Sequence, residues 1–371
     1  MEVKDLKLRK ILATNSKETV EVELVTERGS IRSSVPIGTS VGKYEVKWLE
    51  VNKVLKIFPK IKKRLKSKEF HSQDEVDLEL KKLDGTPNFS RIGGNLALGI
   101  SSAFLKAFTL GNDQEVFEYL GGKKLPKPLC NVAGGWVDSE IQEFLVFPKK
   151  QRSFREEIFK IAEFYLKLGE SLRKKDKSFK FSKNYESAWV SNLRTEEILD
   201  LIKKEAKKYG LLIGVDVAGN YSGRNKEGQF DFISSLIKKF SLKYVEDPFE
   251  ESDFKSFASL QKKFKKVIVC GDDLIATNPR RLKLAIKKKA VSGVIVKPNQ
   301  VGTISDTIKV VKEAKKHKIV TIISHRSGET EDTLICHLAV GLESEFAKIG
   351  ISGERIVKIN ELIRIEEKIA E

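Results

Sequence analysis

The first part of the chain alternates between apolar and polar residues. Residues 19–25 read Thr-Val-Glu-Val-Glu-Leu-Val, and after a turn at Gly29 residues 31–35 alternate in the same way. A period of two residues is typical of strands that bury one face. Residues 6–48 therefore predict an antiparallel meander.

From residue 51 to about residue 119 the apolar period becomes helical. Within this part, residues 91–100 are rich in glycine and alanine, which predicts a place where helices approach one another closely. The run Gly-Gly-Lys-Lys-Leu-Pro-Lys-Pro at 121–128 then predicts a boundary. We expect a smaller α+β domain at 1–125 and a second domain at 126–371.

The second domain repeats a short apolar strand, a polar tip and a basic amphipathic helix. Its predicted strands are β-branched and almost continuously apolar, as buried parallel strands are. Its length is close to the roughly 250 residues of a closed, TIM-type β/α barrel. A doubly wound open sheet is the alternative, but no Gly-x-Gly-x-x-Gly turn follows any strand. The predicted strands are Leu211–Val215, Leu242–Val245, Val267–Cys270, Gly293–Val296 and Ile319–Ile323.

A polar or ionisable group follows each of these strands: Asp216, Glu246, Asp272, Lys297 and the run 324–327 (Ser-His-Arg-Ser). In a barrel all of them would lie at the carboxyl ends of the strands, where barrel active sites form. Three converging carboxylates need a cation, and oxygen ligands favour Mg²⁺ or Mn²⁺ over zinc. The alternative is that each acid caps a helix or pairs with a lysine on a neighbouring strand.

Lys297 has two interpretations. A lysine buried near a divalent cation has a lowered pKa, so it can accept a proton at neutral pH. Alternatively it forms a buried ion pair with Asp272 or Glu246.

The composition bounds the function. The 371 residues carry a formal net charge of +17, with 40% hydrophobic and 33% charged residues, which excludes a disordered or fibrous chain. We find no bilayer-spanning apolar run and no signal-peptide core, and three isolated cysteines are typical of buried thiols, so we expect a soluble cytoplasmic protein. The charge excess points to a polyanion, a membrane surface or an acidic substrate as partner.

Several runs closely resemble the enolase family. They include Glu-Asp-Pro at 246–248, Gly-Asp-Asp at 271–273, Lys-Pro-Asn-Gln at 297–300, and Ser-His-Arg-Ser-Gly-Glu-Thr at 324–330. The resemblance extends to Asp-Gly-Thr at 84–86 and covers nearly the whole chain. It implies a Mg²⁺-dependent dehydration of 2-phosphoglycerate to phosphoenolpyruvate, with two Mg²⁺ ions per site and at least a homodimer.

The resemblance also implies the roles of individual residues. Asp216, Glu246 and Asp272 would bind the first Mg²⁺, Ser40 in a mobile loop would join the second, and Lys297 would be the base.

Glu186 would protonate the departing hydroxyl, with Glu143 beside it. The implied substrate contacts are Arg326 and Ser327 at the phosphate, His325 as their neighbour, and Lys348 at the carboxylate.

Three segments depart from the family pattern. Residues 134–138 (Gly-Gly-Trp-Val-Asp) are shorter and lack a pocket histidine, residues 184–189 place bulky neighbours around Glu186, and Ile37 replaces a serine. Either the chain is a compact enolase, or it is a paralogue acting on a related 2-substituted carboxylate. We expect Trp136 and Trp189 to pack the barrel mouth rather than contact substrate.

A rival class is a non-catalytic protein that binds RNA or another polyanion. The basic stretches 53–68, 262–266 and 283–289 would carry that binding. Their lysines alternate with apolar helix positions, however, and lack aromatic interleaving. We therefore favour solvated helix faces for them.

Overall fold

The N-terminal part begins with a three-stranded antiparallel sheet. The computed structural model describes residues 1–38, 42–111, 114–134 and 139–371. The strands are β1 (Val3–Leu12), β2 (Glu18–Thr26) and β3 (Gly29–Ser34), paired in the order β1-β2-β3. The predicted meander is confirmed, but it ends at Ser34, and the described residues between 35 and 48 form no further strand.

Four helices follow the sheet: α1 (Val51–Lys66), α2 (Gln73–Asp84), α3 (Gly94–Thr109) and α4 (Val116–Leu120). We predicted that the small residues of this region serve contacts between helices, but Gly99 of α3 serves a close approach to the sheet. A Cβ at Gly99 would lie 2.9 Å from Cγ2 of Val22 on β2 and 3.2 Å from Cγ2 of Val35. A larger residue at 99 would therefore push the helix off the sheet.

The C-terminal part is an eight-stranded closed barrel, so the predicted fold class is confirmed. Its strands pair in sequence order and the last pairs with the first. They are β4 (Lys127–Gly134), β5 (Glu143–Pro148), β6 (Leu211–Asp216), β7 (Tyr244–Glu246), β8 (Ile268–Gly271), β9 (Gly293–Val296), β10 (Val320–Ser324) and β11 (Phe346–Lys348). The helices are α5 (Phe154–Lys175), α6 (Thr195–Ala206), α7 (Lys226–Phe240), α8 (Phe254–Lys263), α9 (Pro279–Lys288), α10 (Pro298–Val301), α11 (Ile304–Lys316), α12 (Leu334–Gly341) and α13 (Ile356–Ala370), with a 3₁₀ turn at Gly353–Arg355.

Strand β5 breaks the predicted repeat. It is antiparallel to both β4 and β6, whereas the other neighbouring pairs of the barrel are parallel. No helix separates β4 from β5 among the described residues, so the chain returns directly alongside itself. As a result, Glu143 at the start of β5 pairs with Asp216 at the end of β6, on the face where the parallel strands end.

The barrel is filled and covered by separate apolar clusters. Inside the barrel, Phe147 packs edge-on against Tyr244 and Phe346, with ring centroids 6.5 and 5.4 Å away from its own. The core of the N-terminal part also includes Ile304 and Leu338 from the barrel helices. The two parts therefore share buried apolar surface.

The outer surface is basic. The lysines of α8 and α9 and all but Lys62 of those in α1 are exposed, and apolar residues of the same helices are buried. All three cysteines are free and buried, as predicted. Among the described residues, every helix is too short or too polar to span a lipid bilayer.

Candidate active site

A pocket lies at the face of the barrel where the parallel strands end. Nine of the eleven residues predicted for the site line it. Glu246 lies behind the lining and contacts it through Lys348, and Ser40 falls outside the described residues. The nine are Glu143, Glu186, Asp216, Asp272, Lys297, His325, Arg326, Ser327 and Lys348.

Lys348 lies at the centre of the acidic groups. Its Nζ is 2.9 Å from Oδ2 of Asp216, 2.9 Å from Oε1 of Glu246 and 3.0 Å from Oε2 of Glu143. Burial alone would lower the pKa of Lys348, but these carboxylates raise it well above its usual value. The lysine is therefore a fixed positive charge, and three acids exceed what one ammonium group can neutralise.

Glu246 is fully buried at the end of β7. The Tyr244 hydroxyl donates to its Oε2 at 2.6 Å. Burial first, and then repulsion from Asp216, raises the pKa of Glu246 to about 8. An additional cation would favour the charged form of this carboxylate.

Asp272 follows β8 and pairs with Lys297, which follows β9. The amide of Gln300 donates to the other carboxylate oxygen of Asp272 at 3.0 Å. Burial would lower the pKa of Lys297, as predicted for a base, but the charge of Asp272 outweighs burial and raises it. The alternative of a buried ion pair with Asp272 is therefore present, and the lowering that was predicted for a lysine beside a bound cation stays a prediction. We call Asp216, Glu246, Asp272 and Lys297 the base side of the pocket.

Two further aspartates join this side, and the sequence analysis gave them no role. Carboxylate oxygens of Asp247, Asp272 and Asp273 lie within 4.8 Å of one another. Asp247 accepts the backbone N–H groups of Asp272 at 3.0 Å and Asp273 at 2.7 Å, which fixes the turn after β8. Burial, and then the charge of Asp272, raises the pKa of Asp273 to about 7.

The donor set fits a hard divalent cation. Every candidate ligand on the base side is a carboxylate oxygen, the ligand type that Mg²⁺ prefers. The pKa values of Glu246 and Asp273 are raised, and a bound cation would lower them again. Both added aspartates stand in runs that the resemblance already quoted. Their adjacency to Glu246 and Asp272 was the available signal.

The opposite wall carries Glu143, Glu186 and His325, which we call the acid side. Burial and repulsion from Glu186 raise the pKa of Glu143 well above its usual value. Burial would raise that of Glu186 too, but His325 and Arg355 hold it well below. The pKa values of the two carboxyl groups are thus driven apart, so Glu143 is the one that holds a proton when Glu186 is charged.

Local structure explains how Glu186 reaches the pocket without its usual neighbours. Oδ1 of Asn184 accepts the N–H groups of Glu186 and Ala188, each at 3.0 Å, and closes a tight turn. Nδ2 of Asn131, on β4, donates to Oε2 of Glu186 at 3.2 Å. These bonds hold the carboxylate towards the barrel axis.

Trp189 packs beneath this turn, as expected. Its ring stacks on Tyr165 at 4.5 Å, its Nε1 donates to the Tyr165 carbonyl at 2.9 Å, and it lies edge-on to Phe179. It is only 6% exposed. Trp136 lies outside the described residues.

Arg326 faces the same pocket from the loop after β10. It lies 3.2 Å from Oε2 of Glu45 and donates to Oδ1 of Asn299 at 3.0 Å. Glu45 was not predicted, and no local pattern marks it. Only the folded structure brings Glu45 to Arg326, because the two residues are 281 positions apart in the sequence.

Comparison with known proteins agrees with this geometry. Curated relatives named "Enolase" from Methanosphaera stadtmanae, Picrophilus torridus and Archaeoglobus fulgidus are each 36% identical to the chain. Each alignment covers 99% of this chain and 97%, 99% and 98% of the respective relative.

The chain belongs to the enolase family. Residues 3–120 match the family domain described as "Enolase, N-terminal domain", and residues 223–371 match "Enolase, C-terminal TIM barrel domain". The segment between these enolase domains contains Glu143, Glu186 and Asp216, and the full-length enolase alignments extend across it.

Proposed function

We propose that this protein catalyses the reversible dehydration of 2-phosphoglycerate to phosphoenolpyruvate, as an enzyme of glycolysis and gluconeogenesis working in the cytoplasm. The observation that carries the proposal is the convergence of two opposed walls in one pocket. Lys297 stands on one wall and Glu186 on the other, with Lys348 between them. Such an arrangement suits removal of a proton from one carbon and release of a hydroxyl from its neighbour.

On the base side, Nζ of neutral Lys297 takes the proton from C2 of the substrate, and the electron pair of that bond moves into the substrate carboxylate. Lys348 binds this carboxylate, because its fixed charge opposes the second negative charge that develops there. Arg326 and Ser327 hold the phosphate.

On the acid side, a proton passes to the C3 hydroxyl as the C3–O bond breaks, and water leaves. The proton moves from Glu143 to Glu186, which delivers it to the hydroxyl oxygen, and the pair regains a proton from solvent after water has left. Reversal of the same transfers adds water to phosphoenolpyruvate, so each group acts as acid in one direction and as base in the other.

We propose Mg²⁺ as the cation, with Asp216, Glu246 and Asp272 as ligands of a first ion and Ser40 as a ligand of a second. A Mg²⁺ ion held by these residues would weaken the hold of Asp272 on Lys297 and would stabilise the doubly charged substrate carboxylate. The closely placed Asp273 is a further oxygen donor at this wall.

The test is phosphoenolpyruvate formation from 2-phosphoglycerate, followed with and without Mg²⁺. Wild-type protein should be active only with Mg²⁺, and Lys297→Ala should lose activity by about 10⁴-fold or more, since the reaction then lacks its base. Lys287→Ala, which removes an exposed lysine from α9, is the matched control and should behave as wild type.

Three results would contradict the proposal. Turnover of another 2-substituted carboxylate without turnover of 2-phosphoglycerate would support the paralogue alternative. Tight RNA binding without any Mg²⁺-dependent activity would support the polyanion-binding alternative. Equal activities of Lys297→Ala and Lys287→Ala would remove Lys297 from the mechanism.

We also propose that the protein forms a homodimer or a higher homo-oligomer, on the basis of its family membership. Light scattering coupled to size-exclusion chromatography measures the mass in solution. A mass of 41.9 kDa, that of one chain, would contradict the proposal.

A further inference from the structure

Arg355, just before α13, is a fully buried guanidinium group behind the acid side. Its Nη2 donates to the carbonyl oxygens of Arg326 at 3.0 Å and Ser327 at 2.9 Å, and its Nη1 lies 3.0 Å from Glu354. These bonds fix the guanidinium plane against the loop after β10. The group therefore has little freedom to turn.

The Nε–H group of Arg355 points to His325. Nε of Arg355 donates to Nδ1 of His325 at 2.9 Å. A guanidinium group has no acceptor and does not lose its protons, so Nδ1 must present a lone pair. The neutral imidazole then carries its hydrogen on Nε2.

Nε2 of His325 faces the proposed acid. It lies 3.6 Å from Oε2 of Glu186 and has no hydrogen bond to any described residue. The side chain of His325 is only 2% exposed. Its one N–H therefore points across the pocket wall toward Glu186.

Arg355 opposes protonation of His325 at Nδ1. A second proton would have to enter at Nδ1, where Arg355 already donates and carries a positive charge. Burial first, and the Arg355 charge with it, lowers the pKa of His325, while Glu186 and Glu329 act in the opposite direction. The net shift is downward, which agrees with the geometry.

We propose that Arg355 is a positioning residue of the dehydration reaction: it fixes His325 as the neutral tautomer with hydrogen on Nε2, and thereby presents one N–H donor to Glu186. This inference rests on the proposed function for its role in catalysis. The tautomer itself does not, because it follows from the contacts of Arg355.

Lys358 offers a matched control. It is also fully buried, lies one turn further along α13, and pairs with Glu329 at 3.0 Å and with the Thr330 carbonyl at 2.8 Å. It makes no contact with His325 in the structure described. Lys358→Met thus removes a buried cation from the same helix without removing the donor to Nδ1.

The direct test is the tautomer of His325, measured by ¹⁵N chemical shifts of the imidazole nitrogens in protein labelled at its four histidines. His325→Gln assigns the resonances. Wild type and Lys358→Met should keep hydrogen on Nε2 from pH 5.5 to 8, whereas Arg355→Met should show mixed tautomers and a charged ring by pH 5.5. These readouts need no turnover, so they stand apart from a failure of the proposed function.

Activity supplies the second readout. Arg355→Met should lower kcat up to about 100-fold, the lower end of what a positioned proton-transfer group contributes, and should change the acid limb of the pH profile. Lys358→Met should leave that limb in place. If Arg355→Met fails to fold, Arg355→Lys, which keeps the charge but lacks the planar donor, serves instead and should show the same disturbed tautomer.

Hydrogen on Nδ1 of His325 in the wild type would overturn the proposal. So would identical tautomers and pH profiles in the Arg355 and Lys358 variants, since the effect would then arise from the loss of a buried cation in general.

Discussion

The two walls of the pocket are built in different ways. On the base side, successive parallel strands each end in one functional residue, and their register brings Asp216 beside Glu246. On the acid side, Glu186 comes from a turn outside the barrel strands and Glu143 from the one antiparallel strand. The base side is positioned by the repeat of the fold, and the acid side by individual hydrogen bonds and packed rings.

The two walls should tolerate variation to different degrees. A repeat fixes strand ends through backbone pairing, so residues at those ends keep their places whatever surrounds them. The acid side depends on contacts such as those of Asn131 and Trp189. Residues 184–189, one of the three segments that depart from the family pattern, carry Glu186 on this side.

After Lys297→Ala, the largest effect should come from breaking the base side at Glu246. Glu246→Gln removes a charge from the proposed cation site, so we expect kcat/KM to fall more than about 10³-fold and Mg²⁺ to bind more weakly. Isothermal titration with Mg²⁺ measures the second effect. Tyr244→Phe keeps the carboxylate and removes only its hydrogen bond. In this variant kcat/KM should fall by no more than about tenfold.

Breaking the acid side should separate the two half-reactions. Glu186→Gln should lower phosphoenolpyruvate formation by about 10²- to 10³-fold, since protonation of the leaving hydroxyl is lost. Exchange of the C2 proton with D₂O, measured by NMR, should persist because Lys297 remains. Loss of both reactions together, or loss of Mg²⁺ binding in this variant, would show that the walls do not act independently.

The packing beneath the acid side gives a smaller effect, on stability. Trp189→Leu removes the stack on Tyr165 and a buried hydrogen bond, so the free energy of unfolding should fall by about 3 kcal/mol. Denaturant titration measures it. We expect kcat to fall while Mg²⁺ affinity is unchanged; a weakened Mg²⁺ affinity would mean that the comparison between the walls is wrong.

The smallest effect should come from a residue that belongs to neither wall. Asp332 is buried between the two parts of the chain, 2.7 Å from Nζ of Lys106 and 2.8 Å from the Ser34 N–H. Burial would raise its pKa, but Lys106 and these donors lower it. Asp332→Asn should therefore cost about 2 kcal/mol of unfolding free energy at pH 7, with kcat unchanged.

The pH dependence of that cost has a definite sign. Since the pKa of Asp332 is lower in the folded state than the unfolded value of about 3.9, its contribution is full above pH 4 to 5 and is lost as the pH falls through the folded pKa. The unfolding free energies of wild type and Asp332→Asn should thus differ at pH 7 and converge as the solution is acidified. A difference that grows on acidification would contradict this assignment.

Much of the barrel could be predicted because its signals are local. Strands β6 to β10 are runs of β-branched residues, and β9 matches its prediction at both ends. Strand β11 (Phe-Ala-Lys) contains no β-branched residue, and the direction of β5 depends on the connection that precedes it. The role of Lys348 consequently came only from the resemblance.

The site divides in the same way. Asp216, Glu246 and Asp272 follow predicted strands, so sequence alone brought them together. Arg355 and Glu45 act through partners far along the chain, and a sequence pattern carries no information on such contacts. Lys297 was predicted from the sequence. Its raised pKa depends on how close Asp272 lies, and that distance follows only from the three-dimensional structure.

The reversed strand β5 has a consequence for how such enzymes diversify. Because Gly134 pairs with Glu143, the ladder between β4 and β5 is closed before the connecting residues begin, at the face where Glu143 lies. Insertions and deletions there leave the position of Glu143 unchanged. The fold thus separates the evolution of the entrance from that of the catalytic groups, and a lineage can shorten the former without repositioning the latter.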